Sequence, residues 1–375
     1  MRRFDRGGSI VSIVRLPLSL LVTSRFDSAY HAPVLVEEIL ALFAGASRAL
    51  DGTLGGGGHS AAMLEAGMDV TGIDRDPAAI AEASRRLQPA IEAGRFRALC
   101  GNYAEADVLL PPDARFDAIL LDLGVSSHQI DDDARGFSFR EGAPLGGAMD
   151  GRADGETEDG GRRTEGDARR TSDVELRGHR EAAGARPPSS VVRPPSASWD
   201  SAADFLNDAD VAELTRAFRE FGDEPKAGRL AREVVHRREH RPFAISDDLV
   251  GAIRAVLGPR SGPGDFARLF QAVRIAVNDE LAGLARALPA LRDRLAPQGV
   301  LAVIAYHSGE DRLVKLAFRE WSSSCVCPPK QPMCTCRGRP LGTLLTRKPI
   351  TAADAEVAHN VRARSAHLRA FRREG

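Results

Sequence analysis

The sequence predicts an α/β fold in which helices cover a mostly parallel sheet and a helical domain interrupts that sheet. Three observations favour this fold. Short apolar segments alternate with helical patterns along residues 46–123, and strands that alternate with helices form parallel sheets. Residues 199–285 follow a helical pattern with few strand signals. Another apolar segment, V-L-A-V-I-A-Y at 300–306, follows this helical block and predicts that the sheet resumes there.

The individual strands and helices follow from local patterns. The segment Phe116–Leu123 is apolar on both faces, which is typical of a buried parallel strand. Pro77 suits the first turn of a helix, because its missing N–H is not needed there. The predicted strands before the helical block are Ala46–Asp51, Asp69–Asp74, Phe96–Cys100 and Phe116–Leu123, and the predicted helices are Ser60–Gly67 and Pro77–Leu87. After the block, Leu341–Lys348 and His367–Arg372 are predicted to close the sheet as an antiparallel pair.

Composition limits the classes of protein to which this chain can belong. Its 375 residues, 43% of them hydrophobic and 27% charged, are enough for two globular domains or one large domain with insertions. The formal net charge is −1, so a nucleic-acid surface must come from local charge, as in the Arg-rich segments 229–241 and 362–373. No uninterrupted apolar run of about 18 residues occurs, which argues against a membrane span. The oligomeric state, a homodimer included, stays open.

Two segments do not fit a folded core. Residues 151–198 contain no aromatic residue, and so polar a segment cannot offset its ordering entropy. Residues 9–23 are apolar behind an Arg-rich start, similar to a signal peptide, but Arg15 and Pro17 interrupt them and a tail is the preferred interpretation. The predicted organisation is a disordered extension (1–28), the first part of the sheet domain (29–150), a disordered insertion (151–198), a helical inserted domain (199–285) and the second part of the sheet domain (286–375).

A glycine-rich loop after the first predicted strand indicates a site for an adenosine-type cofactor. Residues 51–59 read D-G-T-L-G-G-G-G-H, and glycines allow a tight turn and a close approach of backbone N–H groups to a ligand. Asp74 ends the next strand, where an acidic residue commonly accepts hydrogen bonds from ribose hydroxyls. Asp51 opens the loop, and its carboxylate would repel a pyrophosphate but suits a cationic sulfonium. This favours S-adenosylmethionine over NAD; the alternative is that both loops simply turn corners.

Longer blocks are specific enough to indicate a family. L-L-D-L-G-V-S-S-H-Q-I-D-D-D-A-R-G-F-S-F-R at 120–140 is much more specific than a glycine-rich turn. It occurs, in order along the chain, with H-A-P-V-L-V-E-E (31–38), D-G-T-L-G-G-G-G-H-S (51–60), G-I-D-R-D-P-A-A-I (72–80), F-Q-A-V-R-I-A-V-N-D-E-L (270–281), H-S-G-E-D-R-L-V-K (307–315) and N-V-R-A-R-S-A-H-L-R (360–369). In these blocks the chain resembles the bacterial small-subunit ribosomal RNA cytosine-N4 methyltransferases.

This resemblance implies a Rossmann-like class I methyltransferase sheet that uses S-adenosylmethionine in the cytoplasm. The implied substrate is a cytosine in the decoding region of 16S rRNA, in the small ribosomal subunit, methylated on its exocyclic N4 amine. The family's cofactor contacts carry over to Gly57, Gly58, His59, Asp74, Tyr103, Asp122 and Gln129. A non-catalytic RNA-binding or ribosome-assembly protein that retains the fold is the alternative. A nicotinamide-dependent oxidoreductase would need a pyrophosphate loop without Asp51.

Three residues at the carboxyl edge of the predicted sheet are candidates for catalysis. Asp122 ends the fourth strand, where open parallel sheets bind ligands, and is the first candidate near the reacting methyl group. His307 and Asp311 follow the fifth strand at the same edge. The structural alternative makes His307 a turn residue and Asp311 a helix-start partner of Arg312. D-L-G-V follows the fourth strand where many amino-group methyltransferases have D/N/S-P-P-Y/F, so the proton acceptor stays open.

Four of the five cysteines lie close together in the sequence. Cys325-x-Cys327 and Cys334-x-Cys336 are separated by six residues, and four thiolates so close could hold a structural zinc ion in a tetrahedral site. C-x-C pairs are less typical of zinc sites than C-x-x-C pairs, and reduced thiols or a redox pair are the alternatives. Cys100 is predicted to be a core thiol.

Overall fold

The computed structural model describes residues 24–27, 32–123, 140–146, 199–328, 331 and 333–375. Three subjects of the sequence predictions lie outside these residues, namely Gln129, the apolar segment 9–23 and the insertion 151–198. In the described part of the chain, no helix combines the length and the apolar character that crossing a bilayer requires.

Within the described residues, seven strands form one sheet. They are β1 (Arg48–Asp51), β2 (Asp69–Asp74), β3 (Phe96–Cys100), β4 (Phe116–Asp122), β5 (Leu295–Ala305), β6 (Gly342–Leu344) and β7 (His367–Arg373). Their order is β3-β2-β1-β4-β5-β7-β6. The first five strands pair in parallel, and β7 is antiparallel to β5 and to β6. The predicted α/β fold and its antiparallel closing pair are confirmed; β5 begins earlier than predicted because Leu295 still pairs with Phe116 of β4.

Helices connect the strands and build the block between β4 and β5. Before β4 they are α1 (Val36–Leu42), α2 (Gly58–Glu65), α3 (Pro77–Arg86), α4 (Gln88–Glu92) and α5 (Ala106–Leu109). Between β4 and β5 they are α6 (Ala202–Asp208), α7 (Val211–Arg216), α8 (Ala227–Arg238), α9 (Ser246–Leu257), α10 (Pro263–Val277) and α11 (Glu280–Asp293), with a π-helical turn at Ala217–Phe221. The remaining helices are α12 (Ser308–Trp321), after β5, and α13 (Asp354–His359), before β7.

Both faces of the sheet are buried under helices. Leu120 of β4 packs in one apolar cluster with Met63 of α2. Its neighbour Leu121 packs in a second cluster with Phe318 of α12. Because successive strand residues point to opposite faces, β4 must be apolar on both faces, as its segment 118–121 is. With both faces covered, the carboxyl ends of the strands are where polar side chains gather.

The chain divides into two compact units. One comprises residues 1–128 and 283–375 and contains the sheet, and the other comprises residues 129–282. The sequence analysis predicted a helical inserted domain over residues 199–285, after a disordered insertion over residues 151–198. Leu145 is buried in the core of the second unit, and its N–H donates to the Ala244 carbonyl at 2.9 Å. This apolar contact, which the polar sequence around it does not indicate, joins the segment to the helices.

Candidate active site

Three carboxylates lie at the carboxyl edge of the parallel sheet. Asp51, Asp74 and Asp122 are the last residues of β1, β2 and β4. Strands β1 and β4 are neighbours at the point where the strand order changes direction. Ligands of open α/β sheets bind in the crevice at such a switch point. The fold therefore brings the predicted Asp74 and Asp122 to one edge, with Asp51 on the strand between them.

The glycine-rich loop between β1 and α2 is fixed to the neighbouring strands by backbone hydrogen bonds. The Gly52 N–H donates to the Leu120 carbonyl at 2.9 Å, and the Leu54 N–H donates to the Ile73 carbonyl at 3.0 Å. Gly55 has a φ of 50°, in the left-handed region that favours glycine. The space beside its Cα is open. Open space therefore adjoins the loop on the side of Gly55 where a side chain would project.

Asp51 accepts hydrogen bonds that join this loop to the start of α2. Its side chain is buried, its Oδ2 accepts a hydrogen bond from the Ser60 hydroxyl at 2.8 Å, and its Oδ1 accepts one from the Thr53 N–H at 3.3 Å. Burial raises the pKa of Asp51, and the nearby His59 and the Ser60 hydrogen bond oppose that shift. The sequence analysis took a carboxylate at this position to suit a cationic sulfonium. In the structure both of its oxygens accept hydrogen bonds from the loop and from α2, so its charge would act on a cofactor from a distance rather than by direct contact.

Asp74 ties the glycine-rich loop to the end of β2. Its Oδ2 accepts a hydrogen bond from the Gly55 N–H at 2.8 Å, and its Oδ1 accepts one from the Asp76 N–H at 2.9 Å. Burial raises the pKa of Asp74 despite these two donors. Each carboxylate oxygen can accept two hydrogen bonds, so Asp74 keeps acceptor capacity for a pair of ligand hydroxyls.

Asp122 is buried among polar groups from three other segments. The Tyr306 hydroxyl donates a hydrogen bond to its carboxylate, and Nδ1 of His59 lies 3.7 Å from its Oδ2. The backbone N–H of Asp122 donates to the Thr53 hydroxyl oxygen at 2.6 Å. Burial, followed by the charge of Asp122 and this hydrogen bond, raises the pKa of Tyr306 well above its ordinary value. The Tyr306 phenol therefore remains a protonated donor at neutral pH.

His59 lies beside Asp122 and is fixed by a backbone carbonyl. It is the second residue of α2 and is 5% exposed. Its Nε2 lies 2.9 Å from the Val34 carbonyl oxygen, an acceptor that requires a proton on Nε2. The other ring nitrogen therefore faces Asp122. His59 therefore places a ring nitrogen 3.7 Å from the Asp122 carboxylate, and direct contact of His59 with a cofactor stays a prediction.

The other predicted cofactor residues near the loop have packing roles. A Cβ added at Gly57 would lie 3.2 Å from the Ala83 side chain, and one at Gly58 would lie 3.0 Å from the Pro33 ring. The two glycines thus let α2 begin close to α3 and to the segment before α1. Tyr103 begins a short 3-10 turn after β3, and its Cβ is 3.3 Å from the position that a Cβ on Gly52 would take. Tyr103 therefore lies at the same edge as the loop.

His307 and Asp311 have structural partners. His307 is the N-cap of α12, and its Nδ1 accepts hydrogen bonds from the Gly309 and Glu310 N–H groups at 3.2 and 3.4 Å. Asp311 forms a bidentate ion pair with Arg369 of β7, at 2.6 and 2.9 Å. The structural alternative named Arg312 as the partner of Asp311, but Arg369 occupies that place because β7 lies beside β5. These contacts weigh against catalytic roles for both residues.

Sequence reasoning missed Tyr306 and Thr53. Tyr306 directly follows the last residue of β5. The signal that could have found it is register: Asp122 pairs with Ile304 across β4 and β5, which brings the residues after β5 to the edge where Asp122 lies. Thr53 lies inside the glycine-rich loop, where the prediction of a cofactor site rested on the glycines and on Asp51.

Some arginines of the two Arg-rich segments donate hydrogen bonds to backbone carbonyls within the protein. Arg238 of α8 donates to the Leu206 and Ala209 carbonyls at 3.0 and 2.8 Å, which satisfies the last carbonyls of α6. Arg373 donates to the Asp293 carbonyl at 2.9 Å. A role of the remaining arginines in binding phosphates stays a prediction.

The four cysteines predicted to bind metal converge in the loop between α12 and β6, with all Sγ atoms within 4.8 Å of one another. Cys100 is exposed. The prediction of a core thiol at Cys100 is wrong because β3 is an edge strand whose last residue is not covered.

The geometry fits an adenosyl cofactor better than a dinucleotide. The glycine-rich loop adjoins carboxylates on three adjacent strand ends, and these hydrogen-bond acceptors suit ribose hydroxyls and a cationic centre rather than a pyrophosphate. The sheet order, the antiparallel β7 beside β5 and this edge together define a Rossmann-like methyltransferase.

Comparison with known proteins identifies the family. The MraW methylase family matches residues 28–159 and 193–374, and the chain belongs to this family. It is 56% identical to the ribosomal RNA small subunit methyltransferase H of Gemmatimonas aurantiaca over 344 residues. These aligned residues make up 92% of this chain and 95% of that protein. The chain is 38% identical over 354 residues to the protein of the same name from Heliobacterium modesticaldum, covering 91% and 97%.

Proposed function

We propose that this chain is a cytoplasmic enzyme that transfers a methyl group from S-adenosylmethionine to the N4 amine of a cytosine in the decoding region of 16S rRNA, in the small ribosomal subunit. The observation that carries the proposal is the buried Asp122 carboxylate at the switch point, beside the glycine-rich loop. The name of the relative that is 56% identical supports the substrate. Among the described residues, nothing favours the non-catalytic alternative.

Residues of this chain would hold the cofactor along the sheet edge. When bound, S-adenosylmethionine supplies an electrophilic methyl group on a sulfonium centre. Asp74 would accept hydrogen bonds from the ribose hydroxyls through its remaining lone pairs. Tyr103 would pack against the adenine. Gln129, from the block that matches the family, would complete the contacts.

Asp122 would act on the acceptor nitrogen. The lone pair of cytosine N4 is delocalised into the ring, so N4 attacks well only as it becomes pyramidal and loses a proton. A carboxylate that accepts a hydrogen bond from the N4 amine favours both changes. Tyr306 would act as a positioning residue, because its hydroxyl donates to the Asp122 carboxylate and holds it in one orientation. The cytosine must leave its stack to reach this buried group.

The test is methyl transfer to small ribosomal subunits that lack the modification. With labelled S-adenosylmethionine, mass spectrometry of the rRNA nucleosides should detect label in N4-methylcytidine. Asp122→Ala should lower the rate by about 100-fold or more, the usual scale for a positioned proton acceptor. Asp113→Ala, which removes an exposed carboxylate, is the matched control and should keep full activity.

Calorimetric binding of S-adenosylmethionine separates the outcomes. Intact cofactor binding without transfer to any rRNA would contradict the proposed reaction. An active Asp122→Ala variant would contradict only the role proposed for Asp122, and the proposed reaction would stand.

A further inference from the structure

Among its described residues, the loop between α12 and β6 has no apolar core of its own. It leaves α12 after Trp321 and returns at Leu341, whose N–H donates to the Trp321 carbonyl at 2.7 Å. Between these two residues, every described side chain is exposed or half-buried, and Met333 is 77% exposed. Loops of this length without secondary structure are uncommon in compact domains. An interaction other than apolar burial must therefore hold the loop.

The sulfur atoms inside this loop have the spacing of a metal site. The Sγ–Sγ distances are 3.5 Å for Cys334–Cys336, 3.8 Å for Cys325–Cys336, and 3.9 Å from Cys334 to both Cys325 and Cys327. A disulfide would require about 2.05 Å, and all four are free cysteines. Four sulfurs about 2.3 Å from a zinc ion in a tetrahedron lie about 3.8 Å apart. The observed distances therefore match a site for a single ion.

Backbone N–H groups point at the same sulfurs. The Val326 N–H donates to Cys336 Sγ at 3.4 Å, and the Gly338 N–H also donates to Cys336. The Thr335 N–H donates to Cys327. Gly338 has a φ of 66°, a left-handed conformation that turns the chain back toward the cluster. Donors around thiolate ligands stabilise their negative charge and fix their direction.

Arg337 attaches the cluster to the end of α12. Its guanidinium donates to the Glu320 carbonyl and lies 3.5 Å from the Glu320 carboxylate, and its Nε donates to the Arg339 carbonyl at 3.0 Å. A cation at this position also suits the negative end of the helix dipole. The ligand loop is thus oriented by the helix that precedes it.

We propose that the four cysteines bind one zinc ion as thiolates, and that this ion stabilises the loop 322–340. Tetrahedral sulfur coordination is typical of structural zinc, and soft thiolate ligands favour it. Binding of Zn²⁺ to four thiols releases four protons and leaves a site with a net charge of −2, with no change in oxidation state. The site is separate from the proposed methyl transfer and does not depend on it.

The test is the metal content of the full-length chain. Protein purified with a reductant and zinc sulfate, and then dialysed, should contain about one zinc ion per chain by plasma mass spectrometry. Cys334→Ser combined with Cys336→Ser should lose that zinc. Cys100→Ser removes the cysteine outside the cluster and should keep it.

Two measurements on the wild-type chain apply even if the double variant does not fold. Replacement by Co²⁺ should give thiolate-to-cobalt charge transfer and the strong visible bands of a tetrahedral ion. Removal of metal by a chelator should speed proteolysis within residues 322–340. Wild-type protein with no bound zinc, a disulfide within the cluster under these conditions, or iron in place of zinc would overturn the proposal.

Discussion

The proposed chemistry depends on how a single carboxylate is held. Asp122 receives a hydroxyl donor from Tyr306, faces a ring nitrogen of His59 and is anchored through its backbone to Thr53. These three neighbours are distant from Asp122 and mostly from one another in the sequence. Asp122 itself was predictable, because it ends an apolar strand. Its neighbours were less so, because only the pairing of β4 with β5 places Tyr306 beside it.

Replacement of Tyr306 tests its action on Asp122. Tyr306→Phe keeps the ring and removes the donor. A hydrogen bond to a carboxylate favours its ionised form, so we expect the acidic limb of the kcat/KM–pH profile to move to higher pH, by about one pH unit. Rates measured between pH 5 and 9 provide the test. Thermal unfolding and cofactor affinity serve as controls for the fold, and an unmoved limb would show that Tyr306 does not act through Asp122.

At the scale of elements, the start of α12 shows how a structural role can resemble a catalytic one. His307 and Glu310 form a capping box, in which the buried Glu310 carboxylate accepts hydrogen bonds from the Tyr306 and His307 N–H groups at 2.9 and 3.3 Å. Asp311 then joins this helix to β7 through Arg369. A His and an Asp after a strand therefore serve to seat a helix on the sheet. Sequence alone could not separate these roles, because the partners come from other elements.

Substitutions of His307 distinguish a cap from a catalyst. His307→Ala should lower the free energy of unfolding by about 1 kcal/mol, the usual cost of a lost N-cap. His307→Asn supplies another good cap and should restore both stability and methyl transfer. Urea denaturation and the rRNA assay measure the two properties. A loss of activity by about 100-fold in the well-folded Asn variant would instead establish a catalytic role.

At the scale of the whole molecule, the sheet buries acidic groups at the edge where the site lies. Burial raises the pKa values of Asp51 and Asp74. A carboxyl group whose pKa is higher in the folded state than in the unfolded chain, where it is about 3.9, binds its proton more tightly when folded. Its contribution to stability is therefore present below the unfolded value and is lost as the pH rises through the folded value.

The Asp51→Asn variant removes one of these groups. Asn can still accept from the Thr53 N–H and can donate to the Ser60 hydroxyl, so the loop should form. As the pH rises from about 4 through the raised pKa of Asp51, the variant should gain stability relative to the wild type. Urea unfolding across pH 4 to 8 gives this difference, which also includes the change at Asp74, because the charge of Asp51 helps to raise the pKa of Asp74. A difference that is constant with pH would contradict the raised pKa.

The sequence by itself determined the succession of strands and helices along the chain, the glycine-rich loop, the acids at the strand ends and the family resemblance. Each of these depends on residues that are close together in the chain, so periodicity and motif spacing carry them. Only the tertiary structure decided that Tyr306 donates to Asp122, that Arg369 pairs with Asp311, that Cys100 is exposed and that residue 145 packs with the helices. These facts depend on strand order, register and packing between distant segments, which no local pattern contains.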